Sequence, residues 1–367
     1  MSHLGSRASS SASAPPGRTR IAGKEITSRT IESALGLDTI AAMKHRQFGR
    51  LGWQVSEIGY GAWAIGGSWG PTKDEESIAA LNRALDLGVN FIDTAQGYGD
   101  GRSERLIGQV LRGRGRDRVY VATKIPPAPG PWPPTPYCRI DQRYPASYLA
   151  ERVERSLRDL GTDRIDLLQL HTWTRAWNRS PEALETLRKL RDQGKLLAIG
   201  ISTPEDDQDA LVQLMRDGWL DAVQVIYNIF EQQPQAEFFP AAKEHGVGVI
   251  VRCPFDESVL AGKLTEQTVF AEGDFRRNYF AGDRLQRAVK RAAAVRDAIA
   301  AHEPDMPAAA LKFCLKPAAV STVIPGIRTV AQAEANCGVS DQKPMSDELE
   351  RKLRAHAWRR FFWYGGK

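Results

Sequence analysis

Four side chains that could share one chemical task lie in the first half of the chain, namely Asp93, Tyr98, Lys124 and His171. Asp93, Lys124 and His171 each end a short apolar run of β-type residues, and Tyr98 stands in a glycine-rich turn. A carboxylate can hold an ammonium group in place, and a nearby ammonium group stabilises tyrosinate and lowers a phenol pKa from its usual value of about 10. The set therefore predicts proton transfer, with the tyrosine as general acid and base.

Each of these residues also has an ordinary structural explanation when it is taken alone. An aspartate at a strand end is often a helix cap or a turn former, and a single histidine is often a hydrogen-bonded core residue. Here the ionisable residues stand at the ends of successive strand-like runs. The carboxyl ends of parallel strands carry the chemistry of α/β barrels, so the four residues together favour a functional site.

The elements that must position this site alternate between strand-like and helical patterns. Strands are predicted over residues 59–62, 91–93, 119–124, 165–171, 196–201, 222–227, 247–252 and 321–324, with helices between them. A weak alternation over residues 46–58, around the turn at residues 49–52, predicts a β-hairpin before the first of these strands. Alternating units of this kind predict one α/β domain with a parallel sheet.

Two helix starts carry recognisable capping residues. Ser103 is predicted to be the N-cap of the second helix, with Glu104 at the positive end of the helix dipole. Thr72 and Glu75 form a capping-box pattern before a helix that extends to about Leu87.

Three segments identify a known family. Residues 93–108 read DTAQGYGDGRSERLIG, residues 156–171 read SLRDLGTDRIDLLQLH, and residues 323–326 read VIPG. In these motifs, and from about Met43 to about Val339, the chain resembles the aldo-keto reductases. The resemblance implies a (β/α)8 TIM barrel whose N-terminal hairpin closes the bottom. It also implies an NADP(H)-dependent oxidoreductase that interconverts a carbonyl (aldehyde, ketone or sugar) and an alcohol.

The resemblance assigns roles to the four residues that match those expected from their chemistry. Tyr98 is the general acid in reduction and the base in oxidation, and Lys124 is the cation beside it. Asp93 fixes and charges that lysine, while His171 orients the oxygen of the substrate. An alternative reading of the same scaffold is a cofactor-binding, redox-sensing regulatory subunit with little turnover.

The cofactor site must be sought outside a Rossmann motif, because no G-x-G-x-x-G follows a predicted strand. In a barrel, a phosphate site is expected near strands seven and eight, where residues 324–328 read IPGIR. Arg328 offers a planar fork for phosphate there, or it is a plain exposed helix residue. The resemblance implies cofactor contacts from Ser202, Gln224, Arg252, Gly326, Arg328, Gln332 and Asn336.

Departures from the family pattern leave alternatives open for the cofactor. NAD(H) is possible beside NADP(H), because Ala335 stands where an acidic residue often precedes Asn336. Thr203 stands where many members have asparagine, so a hydroxyl would replace an amide contact. Arg252 stands where an aromatic ring often stacks on the nicotinamide. Its guanidinium could stack there instead, or bind a cofactor phosphate or an acidic substrate group.

Aromatic residues after the predicted strands indicate where a substrate would bind. The predicted substrate pocket contains Trp63, Trp132, Trp173 and Phe255. Residues 126–137 read PPAPGPWPPTPY, which excludes a helix or an inner strand and predicts a wall or lid over the active face. The aromatic residues 361–364 could fold over the pocket or contact another subunit.

Composition is that of an ordinary globular protein of 367 residues, with 42% hydrophobic residues, 26% charged residues and a net charge of +6. No apolar run approaches the roughly 18–20 residues that span a bilayer, and the scattered arginines predict solvated helix faces rather than a nucleic-acid site. The four cysteines lack metal-binding or C-x-x-C spacing, which predicts reduced thiols, no metal and a cytoplasmic location.

The predicted domains are an extension over residues 1–42 and a barrel with a C-terminal tail over residues 43–367. The extension is rich in Ser, Ala, Pro, Gly and Arg, which predicts weak order or disorder. An over-extended start or a tag-like leader is the default explanation, and a transit peptide is the alternative. The loops do not predict the substrate, the direction of the reaction or the oligomeric state.

Overall fold

The structure is a computed structural model that describes residues 43–359 and residue 363. Predictions that concern residues 1–42, or the aromatic residues Phe361, Phe362 and Tyr364, lie outside the described residues. The division at residue 43 therefore stays a prediction.

An antiparallel hairpin precedes the barrel and is formed by β1 (His45–Phe48) and β2 (Trp53–Ser56). Its position follows from the packing of Phe48, whose ring centroid lies 5.4 Å from that of Phe91. A Cβ atom on Gly248 would lie 2.6 Å from the Phe48 ring, so only glycine allows this close approach. The hairpin therefore closes the end of the barrel at which the strands begin, as predicted.

The barrel consists of an eight-stranded sheet in which neighbouring strands are parallel and follow chain order. Its strands are β3 (Tyr60–Gly61), β4 (Phe91–Asp93), β5 (Tyr120–Ile125), β6 (Ile165–Leu170), β7 (Leu196–Ser202), β8 (Ala222–Ile226), β9 (Gly248–Arg252) and β10 (Val320–Val323). Parallel bridges join Ile58 to Val323 and Gly61 to Gly326, so the last strand meets the first. The predicted (β/α)8 fold is confirmed.

Helices cover the outside of the sheet. They are α1 (Asp74–Asp86), α2 (Arg102–Arg114), α3 (Ile140–Arg143), α4 (Ala146–Leu160), α5 (Glu182–Asp192), α6 (Val212–Arg216), α7 (Phe238–Glu244), α8 (Arg276–Tyr279), α9 (Arg284–Ile299), α10 (Met306–Leu315), α11 (Val330–Gly338) and α12 (Asp347–Arg354). In α4, Leu149, Val153 and Leu160 recur at helical spacing and are buried against the sheet side. Within the described part of the chain, no helix is long and apolar enough to cross a membrane.

The apolar core has two parts that together leave one end of the barrel for polar groups. The larger part lies between strands and helices. The smaller part fills the barrel with Phe48, Val55, Phe91, Ala122, Leu167, Ala198, Ala222, Ile250 and Ile324. In β4 to β9 the residue that fills the barrel precedes the polar or charged residue nearer the carboxyl end, so the polar side chains gather at that end.

The predicted capping box at Thr72 is wrong. Helix α1 begins at Asp74, with Lys73 at the cap position and no side-chain cap. The hydroxyl of Thr72 instead accepts a hydrogen bond of 3.0 Å from Nη1 of Arg102. The Thr72 hydroxyl is therefore bound to a side chain that is distant in the sequence and does not cap the helix.

The predicted N-cap at Ser103 is also wrong, for the same reason. Helix α2 begins at Arg102, so the cap position falls on Gly101, whose φ of +81° suits glycine. The Ser103 hydroxyl donates to the carbonyl oxygen of Ala62 at 3.1 Å and accepts from the hydroxyl of Thr94 at 2.8 Å. Ser103 thereby ties the start of α2 to the ends of β3 and β4.

Candidate active site

The sheet brings the predicted strand-end residues together. Asp93 ends β4, Lys124 lies near the end of β5, and His171 directly follows β6. These strands are adjacent and parallel, so their ends meet at one edge. Tyr98 reaches the same edge from the turn between β4 and α2, where its N–H donates to the carbonyl of Ala95 at 3.0 Å.

Lys124 joins the acid to the phenol. It is fully buried, and its Nζ donates to Oδ1 of Asp93 at 2.5 Å, to the carbonyl oxygen of Thr94 at 2.9 Å and to the hydroxyl oxygen of Tyr98 at 3.2 Å. An ammonium group has three N–H donors, so these contacts satisfy all of them. A buried charge without such partners would be strongly unfavourable.

Two glutamines complete the environment of Asp93. Nε2 of Gln169 donates to Oδ2 of Asp93 at 3.2 Å, and Nε2 of Gln224 donates to the same oxygen at 2.7 Å. Sequence reasoning missed this role of Gln169 and assigned Gln224 to the nicotinamide alone. A buried amide in an apolar strand was the available signal, because such a group needs a partner.

The pKa values leave a neutral phenol beside a charged amine. Burial raises the pKa of Tyr98 above its ordinary value of 10.0, and Lys124 acts in the opposite direction. Burial also disfavours the ammonium form of Lys124, but Asp93 and Tyr98 outweigh it, so the pKa of Lys124 is raised. The predicted net lowering of the Tyr98 pKa is therefore wrong, because burial exceeds the effect of the neighbouring cation.

Close backbone contact holds Tyr98 in this position. A Cβ atom on Gly66 would lie 2.7 Å from the carbonyl carbon of Tyr98, and one on Gly99 would lie 2.3 Å from the carbonyl oxygen of Gly66. Gly99 also has a φ of +64°. Only glycines allow the loop after β3 to press on the turn that carries the tyrosine.

Aromatic rings surround the tyrosine. The centroid of the His171 ring lies 5.7 Å from that of Tyr98, and Trp132 of the proline-rich loop lies 5.8 Å from His171. The Trp63 ring stacks near Tyr98 at 6.2 Å. Both Trp63 and Trp132 remain partly exposed. The proline-rich loop therefore reaches the active face, as its position after β5 predicted.

Trp63 belongs to a cluster with two further rings, Trp69 and Phe275, here called the aromatic wall. Trp63 lies 5.3 Å from Trp69 and 4.7 Å from Phe275, and the latter two lie 4.9 Å apart. The predicted pocket did not include Trp69 or Phe275. Phe275 precedes α8 in the long loop after β9, so distance along the chain concealed its place at the site.

Two predicted pocket residues have different positions. Only 1% of Trp173 is exposed, and its Nε1 donates to Oδ1 of Asn178 at 2.7 Å. This tryptophan packs on Trp177 inside the loop after β6 and has almost no exposed surface, so its assignment to the pocket surface is corrected. Phe255 follows β9 and packs, partly exposed, against the main core.

The predicted cofactor residues form an arc along the same end of the barrel. Ser202 ends β7, Gln224 lies in β8 and Arg252 ends β9. The others follow β10 in the turn and in α11, namely Gly326, Arg328, Gln332 and Asn336. Nη2 of Arg252 donates to the carbonyl of Thr203 at 3.0 Å and lies 3.9 Å from Glu205. The guanidinium is thus held by the loop after β7.

The comparison with known proteins agrees with this geometry. A sequence profile described as the Aldo/keto reductase family matches residues 57–357. The chain belongs to the aldo/keto reductase family. Members of this family are oxidoreductases that generally bind NAD(H) or NADP(H).

Individual relatives cover most of this aldo/keto reductase. Aldo-keto reductase YhdN of Bacillus subtilis is 36% identical over 239 residues, which is 65% of this chain and 69% of the relative. D-threo-aldose 1-dehydrogenase of a Pseudomonas species is 31% identical over 303 residues, 78% of this chain and 89% of the relative. The holo form of aldo-keto reductase AKR11C1 from Bacillus halodurans has 28% identity and a TM-score of 0.67, covering 86% of this chain and 96% of that one.

The residues of this chain fit a nicotinamide dinucleotide. Oγ1 of Thr203, directly after Ser202, is buried without a hydrogen-bond partner among the described residues, so it is available to a polar ligand group. Gly326 is exposed, and a Cβ atom there would meet nothing within 4 Å, so the turn after β10 leaves room for a ligand. Arg328 adds a guanidinium beside this turn, which suits phosphate.

Proposed function

We propose that this aldo/keto reductase is an NADP(H)-dependent oxidoreductase that interconverts a carbonyl compound and an alcohol, with Tyr98 as general acid and base. One observation carries the proposal: the Nζ atom of Lys124 contacts both the Asp93 carboxylate and the Tyr98 hydroxyl. An acid that must lose its proton needs a cation beside the anion that remains, and this contact supplies it.

The roles follow from the contacts. The Tyr98 hydroxyl donates its proton to the substrate oxygen in reduction, and Lys124 stabilises the tyrosinate that remains. Asp93 keeps the buried lysine charged, and the ring of His171, 5.7 Å from that of Tyr98, directs the substrate oxygen toward the phenol. A reduced nicotinamide supplies hydride when it is bound. Ser202, Thr203 and Gln224 would hold its amide end, and Arg328, Gln332 and Asn336 its phosphate and adenine end.

The raised pKa of Tyr98 makes the two directions differ in their pH dependence. Reduction needs the phenol, which is the populated form below the pKa, so its kcat should stay flat from about pH 6 to about pH 9. Oxidation needs tyrosinate, so its kcat should rise across the alkaline range. Saturating substrate and cofactor in three-component buffers give the measurement. A reduction rate that falls between about pH 7 and about pH 8 would contradict this assignment.

Turnover on a substrate panel tests the function itself. NADPH and NADH oxidation would be followed by absorbance with aldehydes, ketones and aldoses, the last because one relative is named an aldose dehydrogenase. We expect at least one carbonyl compound to be reduced with a kcat near the usual enzyme range of roughly 1–10³ per second. Tight NADPH binding in calorimetry, with no turnover on the whole panel, would support the regulatory-subunit alternative instead.

A further inference from the structure

Arg328 connects the phosphate end of the cofactor site to the aromatic wall. Its Nη1 donates to the main-chain carbonyl oxygen of Trp69 at 2.8 Å, across 259 positions in the chain. Its own N–H donates to Oε1 of Gln332 at 2.8 Å, and the Thr329 hydroxyl caps α11 through the N–H of Gln332. Arg328 is therefore anchored to the helix start through its backbone and to the loop after β3 through its guanidinium.

The position of Trp69 determines the position of the wall. Its ring packs at right angles on Trp63, which stacks near Tyr98, and Phe275 contacts both tryptophans. The backbone is linked as well, since the N–H of Phe275 donates to the carbonyl of Ser68 at 3.3 Å. A shift of the Trp69 carbonyl would therefore move the rings that border the tyrosine.

Arg102 holds the two ends of the loop after β3, whereas Arg328, the Phe275 N–H and the guanidinium of Arg276 contact its middle. Arg102 donates to the carbonyl oxygen of Ile65 at 3.0 Å and to both oxygens of Thr72 at 3.0 Å. Arg328 binds the main-chain carbonyl of Trp69, and the guanidinium carbon of Arg276 lies 4.6 Å from the centroid of its ring. The indole N–H of Trp69 is buried without a hydrogen-bond partner in the described part of the chain, so the wall has an unsatisfied donor that a small movement could relieve.

The guanidinium of Arg328 has a second edge. Nη1 is engaged by Trp69, whereas Nε and Nη2 form no hydrogen bond within residues 43–359 and 363. Two parallel N–H groups of this kind match two oxygens of a phosphate. One planar group can therefore bind phosphate and keep the Trp69 carbonyl at the same time.

We propose that Arg328 is a positioning residue that couples a phosphate bound beside the β10–α11 turn to the order of the aromatic wall over Tyr98. The inference rests on the proposed function, because it takes this phosphate to be the 2′-phosphate of NADP(H). A phosphate on the Nε–Nη2 edge fixes the guanidinium plane, and the Nη1 contact then fixes Trp69. By linkage, each of the two ligands, the 2′-phosphate and the carbonyl substrate, then favours the binding of the other. The KM for the carbonyl substrate is therefore lower with NADPH than with NADH.

Nucleotides without a nicotinamide ring test the coupling apart from catalysis. Near-ultraviolet circular dichroism would be recorded with saturating 2′,5′-ADP or 5′-ADP, after calorimetry has given each Kd. The wild type should change its aromatic spectrum with 2′,5′-ADP and not with 5′-ADP. Trp69→Phe, which retains the main-chain carbonyl, should lose most of that change and thereby assign it to the wall.

Arg328→Lys separates charge from geometry. Lysine keeps a positive charge for phosphate but lacks the planar fork that binds two partners. We expect the variant at saturating 2′,5′-ADP to show no spectral change. We also compare the KM of the carbonyl substrate measured with NADH to that measured with NADPH. This ratio should be about 5-fold or more in the wild type and close to 1 in Arg328→Lys. Arg83→Lys is the matched control, because Arg83 pairs with Glu334 of α11 and does not touch the wall.

Each contrary result overturns the coupling without deciding the proposed function. The coupling is wrong if 2′,5′-ADP binds the wild type and leaves its spectrum unchanged, or if Arg328→Lys at saturation changes as the wild type does. It is also wrong if 2′,5′-ADP binds no more tightly than 5′-ADP. In all of these cases, carbonyl turnover linked to NADH or NADPH in the wild type still tests the proposed function by itself.

Discussion

The Tyr98→Phe variant should lose about 10²–10⁴-fold in kcat, the usual contribution of a positioned general acid. The substitution removes one hydroxyl group and keeps the ring that packs against Trp63 and His171. Lys124 retains its bonds to Asp93 and to the Thr94 carbonyl, so the buried charge stays paired. Steady-state kinetics with the best substrate of the panel would give the loss, and calorimetry should give an unchanged Kd for NADPH.

Tyr120→Phe is the matched control for this variant. Tyr120 stacks on Trp53 of the hairpin, with centroids 4.6 Å apart, at the opposite end of the barrel. It should keep the kcat of the wild type. If Tyr98→Phe also kept that kcat, the proton would have to come from another group, and the proposed role of Tyr98 would be withdrawn.

The shared location of the candidate catalytic residues could be predicted because their signals are local. An ionisable residue at the end of an apolar run is visible in the sequence, and parallel strands bring such ends together whatever their exact register. The glycine turn that carries Tyr98 is equally visible. These local signals, and the family motifs around Asp93, His171 and Gly326, account for the successful prediction of the barrel.

Features that depend on tertiary partners could not be predicted in this way. The capping role of Ser103 was lost because Ala62 and Thr94 compete for its hydroxyl. The net pKa of Tyr98 depends on how deeply the loops bury it, which no local pattern shows.

The sequence also did not show which aromatic rings border the site and which are buried away from it. Trp173 stands two residues after His171, yet only 1% of it is exposed. Phe275 lies far from any strand end and still joins the wall. Sequence distance from a strand end therefore misses some residues of the site and does not show how deeply a nearby ring is buried.

Lys124→Met should damage both stability and catalysis. Removing one partner of a buried ion pair leaves the other charge uncompensated, which typically costs about 3–5 kcal/mol in the free energy of unfolding. Among the side chains that the structure describes, Asp93 would keep the amide donors of Gln169 and Gln224 alone. Urea unfolding would measure the loss. Lys195→Met is the control, because the Lys195–Glu154 pair is partly exposed and should contribute less than about 1 kcal/mol.

The double variant Asp93→Asn with Lys124→Met separates the buried charge from the lost packing. Removing both charges should recover part of the stability lost in Lys124→Met alone, whereas catalysis should stay impaired, because the cation beside the phenol is still missing.

Lys124→Met should also affect the two directions of the reaction differently. Without the lysine cation the pKa of Tyr98 rises further, so the kcat of oxidation, which needs tyrosinate, should fall more than the kcat of reduction. If the kcat values of oxidation and reduction fell equally in Lys124→Met, the lysine would stabilise the fold without affecting the proton of Tyr98.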